Sequence, residues 1–200
     1  MKKLYIIFLL LSAIFLSGCK STQLVNVWRD ADANQEYHNL AVIAFINDDN
    51  ARTVIEQKIV NIFENSGVKM MKANAIVHES DYVSPEVIEQ ALKDKGIDGV
   101  LILRPVGVDK DVTVNSGVYA VYPGWNGFFY GGYYPPSVYT TTTFKIQNEL
   151  YDIATDKMIW SAQTNTMDPE DIQTMGEEIG DAVFYSLRDN GLIIVPDRKE

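Results

Sequence analysis

The chain falls into two patterns of apolar and polar positions. Residues 40–46, Leu-Ala-Val-Ile-Ala-Phe-Ile, form a short continuous apolar run rich in β-branched side chains, the signature of a strand buried on both faces. Asn47, Asp48, Asp49 and Asn50 follow as a helix start, and Val54, Ile55, Ile59, Ile62 and Phe63 then recur at helical spacing up to Gly67. Residues 68–72 predict a second strand. Ser84, Pro85 and Glu86 open a second helix with the stripe Val87, Ile88, Ala91 and Leu92, ended by Gly96. Residues 100–103 read as a third buried strand, extensible to Val108. Past residue 140 the period becomes two. Phe144, Ile146, Leu150 and Asp152 alternate with Lys145, Gln147 and Glu149, residues 154–157 read as a turn, and Met158, Trp160 and Ala162 alternate with Ser161 and Gln163. Asp168, Pro169, Glu170 and Asp171 introduce a last helix with Ile172, Met175, Ile179, Ala182, Val183 and Leu187 on one face, closed by Asn190 and Gly191.

The order β-α-β-α-β-β-β-α predicts one α/β (α+β) domain over residues 40–195, a mixed five-stranded sheet with three helices. Its strands are expected in the spatial order 2-1-3-4-5, parallel on one side and antiparallel through the hairpin. Residues 19–39 are mostly polar around Leu24, Val25, Val27 and Trp28, and are expected to be a tether holding a short strand or docking segment. At roughly 3.3–3.6 Å per residue such a tether would reach some 65–70 Å. Trp28 is expected to dock on the core.

Residues 119–139 interrupt both patterns. Nine of the chain's aromatic residues lie there: Tyr119, Tyr122, Trp125, Phe128, Phe129, Tyr130, Tyr133, Tyr134 and Tyr139, with four glycines, three prolines and no charge. This insertion is expected to be a long irregular segment and the candidate contact surface, because rings lose little rotamer entropy on fixation and carry a polar tip. Its rings could cover their own core, meet a protein or a second copy, stack on a glycan, or dip into a membrane interface.

The N-terminus has its own logic. Lys2 and Lys3 precede the apolar run of residues 4–16, which is too short for the ~20 residues of a spanning helix. Leu16, Ser17, Gly18 and Cys19 follow. Leu-Ser-Gly-Cys resembles the lipobox of bacterial lipoproteins, which implies that residues 1–18 are a signal peptide and that Cys19 is the lipidation site, exposed as a new acylated N-terminus. Lys20 stands where, in such lipoproteins, an Asp would mark inner-membrane retention, so the resemblance implies a periplasm-facing outer-membrane anchor. The phrase spanning residues 151–160 resembles the D-x-x-T-G-x-x-x-W hairpin of CsgG-type periplasmic lipoproteins, through Asp152, Thr155 and Trp160, with Asp156 in place of the glycine. The overall layout is similar to small Gram-negative envelope lipoproteins of unknown function.

Charge and residue inventory narrow the chemistry. The formal net charge is −10, and without Lys2 and Lys3 the 15 basic residues stand against 27 acidic ones, or −12. Such a chain repels phosphate backbones, so no nucleic-acid partner is expected. One cysteine and two histidines leave little for a metal site, and neither metal nor cofactor is expected. Residues 47–52 hold two carboxylates and no glycine, which argues against phosphate binding and for helix capping. Asp109, Lys110 and Asp111 read as a solvated strand end, and Glu177 and Glu178 as the wet side of the last helix. His38 and His78 share no spacing with a nucleophile, and no Gly-x-Ser-x-Gly occurs. The expectation is a non-enzymatic, lipid-anchored binding or assembly module of the periplasm, whose partners are the membrane, through its lipid, and an envelope protein or a second copy. The alternative is an envelope enzyme or carrier binding a glycan or peptidoglycan fragment under the aromatic segment.

Overall fold

The computed structural model describes residues 20–75, 85–116, 118–123 and 129–196, with the backbone alone for 85, 86, 118–123 and 129–134. The strands are β1 (Thr22–Arg29), β2 (Asn39–Ala44), β3 (Lys69–Lys72), β4 (Gly99–Asn115), β5 (Val118–Pro123), β6 (Phe129–Tyr134), β7 (Ser137–Asp152) and β8 (Met158–Met167). The helices are α1 (Asp49–Asn65), α2 (Pro85–Asp94) and α3 (Ile172–Asp189), with a single 3₁₀ turn at Ala73–Ala75. One mixed sheet has the order β1-β8-β7-β4-β2-β3, and β5 and β6 form a separate two-stranded ribbon.

Five of the six sheet strands stand in the expected order, with β2 parallel to β3 and β4 and the rest antiparallel. The expected count of five strands is corrected to six. The added strand is β1, which pairs antiparallel with β8 at the sheet edge. Leu24, Val25, Val27 and Trp28 make half of this strand apolar, yet none of them is fully buried; only Thr22 is buried, with its hydroxyl 2.7 Å from that of Thr166. The ladder shifts register between Val25 and Trp28, and Asn26 takes φ 55° at this bulge. Trp28 is therefore not a core aromatic, and is 45% exposed on the edge strand.

The two sheet faces are covered unequally. Leu40, Val42, Leu101, Leu103, Ile146, Leu150 and Trp160 face α1 and α3 in the main core. These helices approach closely because Gly176 lies against the Ile55 backbone and Gly180 against Ile59 and Ile62, while Phe63 and Phe184 meet edge to face at 5.2 Å. On the other face, Ala41, Val100, Leu92, Ile97 and Ile153 form a smaller core under α2. Gly67, Gly96 and Gly191 stop the three helices at positive φ, as their placement predicts.

The hairpin at residues 151–160 is held by its own side chains. One carboxylate oxygen of Asp152 accepts the Thr155 amide and hydroxyl, each at 2.7 Å, and the other accepts the Tyr37 hydroxyl at 3.0 Å. Burial and the hydrogen bond to Asp152 push the Tyr37 phenol upward. Asp156 sits at φ 57°, the left-handed conformation that the glycine of the resembled pattern supplies without strain. Trp160 is wholly buried.

Candidate functional site

β4 and β7 are far longer than the sheet they cross. β4 pairs with β2 only through residue 103, and β7 pairs with β8 only from Thr143 onward, yet β4 and β7 stay paired with each other to Asn115 and Ser137. β4 thus loses its outer partner after residue 103 and β7 has none before residue 143, and the two run on as a two-stranded arm whose residues 110–115 and 137–142 lie wholly outside the sheet, roughly 20 Å at ~3.4 Å per residue. A bulge between Pro105 and Gly107 marks its root.

The arm has two different faces. Register places Val108 beside Phe144, Val112 beside Thr140 and Val114 beside Val138, on the side continuous with the main core. Val112, Val114 and Val138 are each more than 60% exposed. The other face carries Asp109, Asp111, Thr113 and Tyr139; Asp109 pairs with Lys145 and Tyr139 is 59% exposed. At the root, Thr142 exchanges two bonds with Asp168, its carbonyl accepting the Asp168 amide at 2.8 Å and its amide donating to the Asp168 carboxylate at 2.7 Å. The valine face runs down into an apolar cleft of about 370 Å³ lined by Ile46, Ile55, Val108, Phe144, Ile172 and Met175.

The aromatic segment extends this arm. Where irregular chain is expected, β5 and β6 pair antiparallel, setting Tyr119 opposite Tyr133, Tyr122 opposite Tyr130, Val118 opposite Tyr134 and Pro123 opposite Phe129. Paired residue numbers sum to the same value on both sides of the break at residues 116–117 and 135–136, so one register runs from the arm into its tip. Glycines bar a helix but not a ladder: Gly131 and Gly132 pair with Val121 and Ala120, and the prolines fall at the end of β5 and in the break. Trp125, Phe128 and Cys19 lie outside the described residues.

The remaining candidates sort by contact. Asp48 is a helix cap, accepting the Ala51 amide at 2.7 Å, and Asp171 does the same for Thr174, whose amide and hydroxyl hold its carboxyl below the usual range. Asp109 and Asp111 lie mid-strand on the arm rather than at a strand end. Glu178 is a tie rather than a wet-face residue. Burial would push its carboxyl upward, but the Ser21 amide and hydroxyl, at 3.1 and 2.7 Å, and Thr22 outweigh that and lower it. Beside it, Asp181 pairs with Lys20 at 2.9 Å and raises the ammonium. The chain is thus fixed from Lys20 onward. His38 presents its backbone amide to Asp98, and His78 lies outside the described residues. Glu56, at 3% exposure, accepts the Ala44 amide with one oxygen and has no partner for the other; its carboxyl is pushed up by burial. Among the described residues no group of three His, Cys, Asp or Glu converges, and no helix is long and apolar enough to cross a membrane.

Sequence reasoning missed the body of the arm. Its signals were present: Val108, Val112 and Val114 share one parity with Lys110, Asp109, Asp111 and Thr113 take the other, and Val138 to Thr143 is a β-branched and aromatic run.

The chain matches no protein-family model and no curated protein sequence. Among solved structures it is similar to the PelC dodecamer from Paraburkholderia phytofirmans, at 11% identity and a TM-score of 0.47, over 81% of this chain and 94% of that one. It is also similar to lipoprotein GNA1162 from Neisseria meningitidis, at 14% identity and a TM-score of 0.39, over 76% and 98%. A PDZ domain protein from Parabacteroides distasonis aligns at 11% identity and a TM-score of 0.34, over 90% of this chain and 37% of that one.

Proposed function

We propose that this chain is a non-enzymatic envelope lipoprotein, anchored by a lipid on Cys19 in the outer membrane and facing the periplasm, that works as a binding or assembly module through its arm. The observation that supports this reading is the arm itself. It carries an exposed valine row, and beyond the sheet neither of its strands has an outer partner among the described residues. An isolated two-stranded ribbon is marginal in water, and unpaired edges with apolar faces invite strand addition. A second copy of the chain supplies both a matching edge and a matching face.

The test places a photo-crosslinking residue at Val114 or Val138 in the acylated chain in cells, with Lys157 at the far end of the hairpin as control. Arm positions are expected to give a homodimeric adduct that Lys157 does not. Identical patterns at all three positions would refute docking through the arm. Palmitate labelling that persists after Cys19→Ser would refute the anchor.

A further inference from the structure

The arm and the N-terminus leave the domain at the same end. Thr22 pairs with Thr166, Thr166 with Phe144, and Phe144 with Val108, so the four residues form one row across the sheet. β1 and β7 are both antiparallel to β8 and so run in the same direction. β7 descends from the arm into the sheet, and β1 therefore also enters from the arm end. Ser21 extends the pairing, its carbonyl accepting the Met167 amide at 3.0 Å, and Lys20 and Ser21 are tied to Asp181 and Glu178. No long tether remains. Cys19 is three residues from Thr22, a reach of at most ~11 Å.

Counting the same three steps up the arm from Val108 arrives at Asp111. Asp111 is the last charged residue on that strand before the tip. From residue 112 to residue 144 there is no Asp, Glu, Lys, Arg or His, in a chain of which 22% is charged. The uncharged stretch thus begins on the row just past the one that Cys19 can reach. Four more rows lead to Asn115, ~14 Å farther out, and the β5–β6 ribbon lies beyond. If the lipid on Cys19 fixes that row at the headgroups, the tip meets the bilayer.

On this basis, and resting on the reading of Cys19 as the anchor, we propose that the β5–β6 hairpin is a second membrane contact. It seats in the headgroup and acyl boundary of the bilayer that holds the lipid. The chemistry fits that zone. Tyrosine is enriched at membrane interfaces because its ring is apolar and its hydroxyl is wet, and this hairpin pairs tyrosine with tyrosine on two rows. A lone ribbon has unpaired edges that the hydrocarbon centre would not tolerate, but hydrated headgroups satisfy them. The carboxylates of Asp109 and Asp111 stay on the water side. With two attachments, the domain is held in one orientation over the membrane.

The test uses the acylated full chain in phosphatidylcholine proteoliposomes. The native thiol is consumed in the lipid thioether, so a Tyr122→Cys or Tyr134→Cys substitution supplies the one reactive thiol for an environment-sensitive fluorophore, with Lys157→Cys as control. A blue-shifted emission quenched by lipids brominated near the glycerol is expected at 122 and 134 and absent at 157, with unfolding midpoints matching wild type. A blue shift without quenching would mean that protein covers the tip, and would overturn the proposal. Unshifted emission at both positions would also overturn it. So would strongest quenching by bromines at the acyl ends, which would put the hairpin across the bilayer. Mass spectrometry of the N-terminal peptide separates the two readings. An acylated Cys19 with an unquenched tip sinks the hairpin contact alone, whereas an unacylated Cys19 sinks both.

Discussion

Excising the arm should leave the domain at least as stable as before. Asp111 and Thr141 face each other in the ladder, so residues 112–140 can be replaced by Asn-Gly, which favours the tight turn of a hairpin. This cut keeps the Asp109–Lys145 pair and both bonds between Thr142 and Asp168. The described side chains removed include Val112, Val114, Val138 and Tyr139, all 59–65% exposed, so little burial is lost. Closing 29 residues costs more entropy than closing two. At ~0.6 kcal/mol per doubling over nearly four doublings, the difference is about 2 kcal/mol, an upper bound because the arm's own ladder returns part of it. The expected change is therefore a stabilisation of between about 0 and 2 kcal/mol. Urea unfolding followed by far-UV circular dichroism, on chains purified from membranes in the same detergent, measures it, and the slope should fall with the shorter chain. A loss of more than about 1 kcal/mol, the worth of a typical hydrogen bond or more, would mean that the tip packs on the core and that the arm is no free surface.

Three further outcomes follow from the core and its turns. Trp160→Ala removes the largest wholly buried side chain among the described residues and should cost about 3–5 kcal/mol in chemical denaturation, enough to threaten folding. Asp156→Gly relieves a left-handed residue and should raise stability by about 0.5–1 kcal/mol, while Asp156→Val should lower it. Glu56 is held above its ordinary 4.5 by burial, so the folded state binds its proton more tightly than the unfolded state; stability should fall as pH rises from about 4.5 through the folded value, and Glu56→Gln should flatten that fall in a series of urea midpoints.

What was legible in the sequence followed burial. β2, β4 and the first turns of each helix are written in apolar runs and stripes because one or both faces meet the core. β1 was legible only as a short strand without a place. It is an edge strand with a bulge at Asn26 and one buried residue, so no regular alternation reports which sheet it joins. The arm was misread for a related reason. Its valines have no core beneath them and Lys110 interrupts their row, and a period of two with both faces wet resembles a strand end followed by irregular chain. In the tip, glycine and proline read as breakers, although a ribbon outside the core tolerates glycine within its rows and proline at their ends. Glu178 gave no signal, because its partner Ser21 lies 157 residues away.

The pairing of the first strand with the last also sets an order of assembly. Among the described strands β1 pairs with β8, and Lys20 and Ser21 bond to α3, so residues 20–29 have no place in the sheet until residues 158–181 are present. Contacts of such sequence separation slow the search for the native state. It also means that truncation anywhere before β8 leaves the strand β1 unpaired, and such fragments should aggregate rather than persist as smaller folded domains.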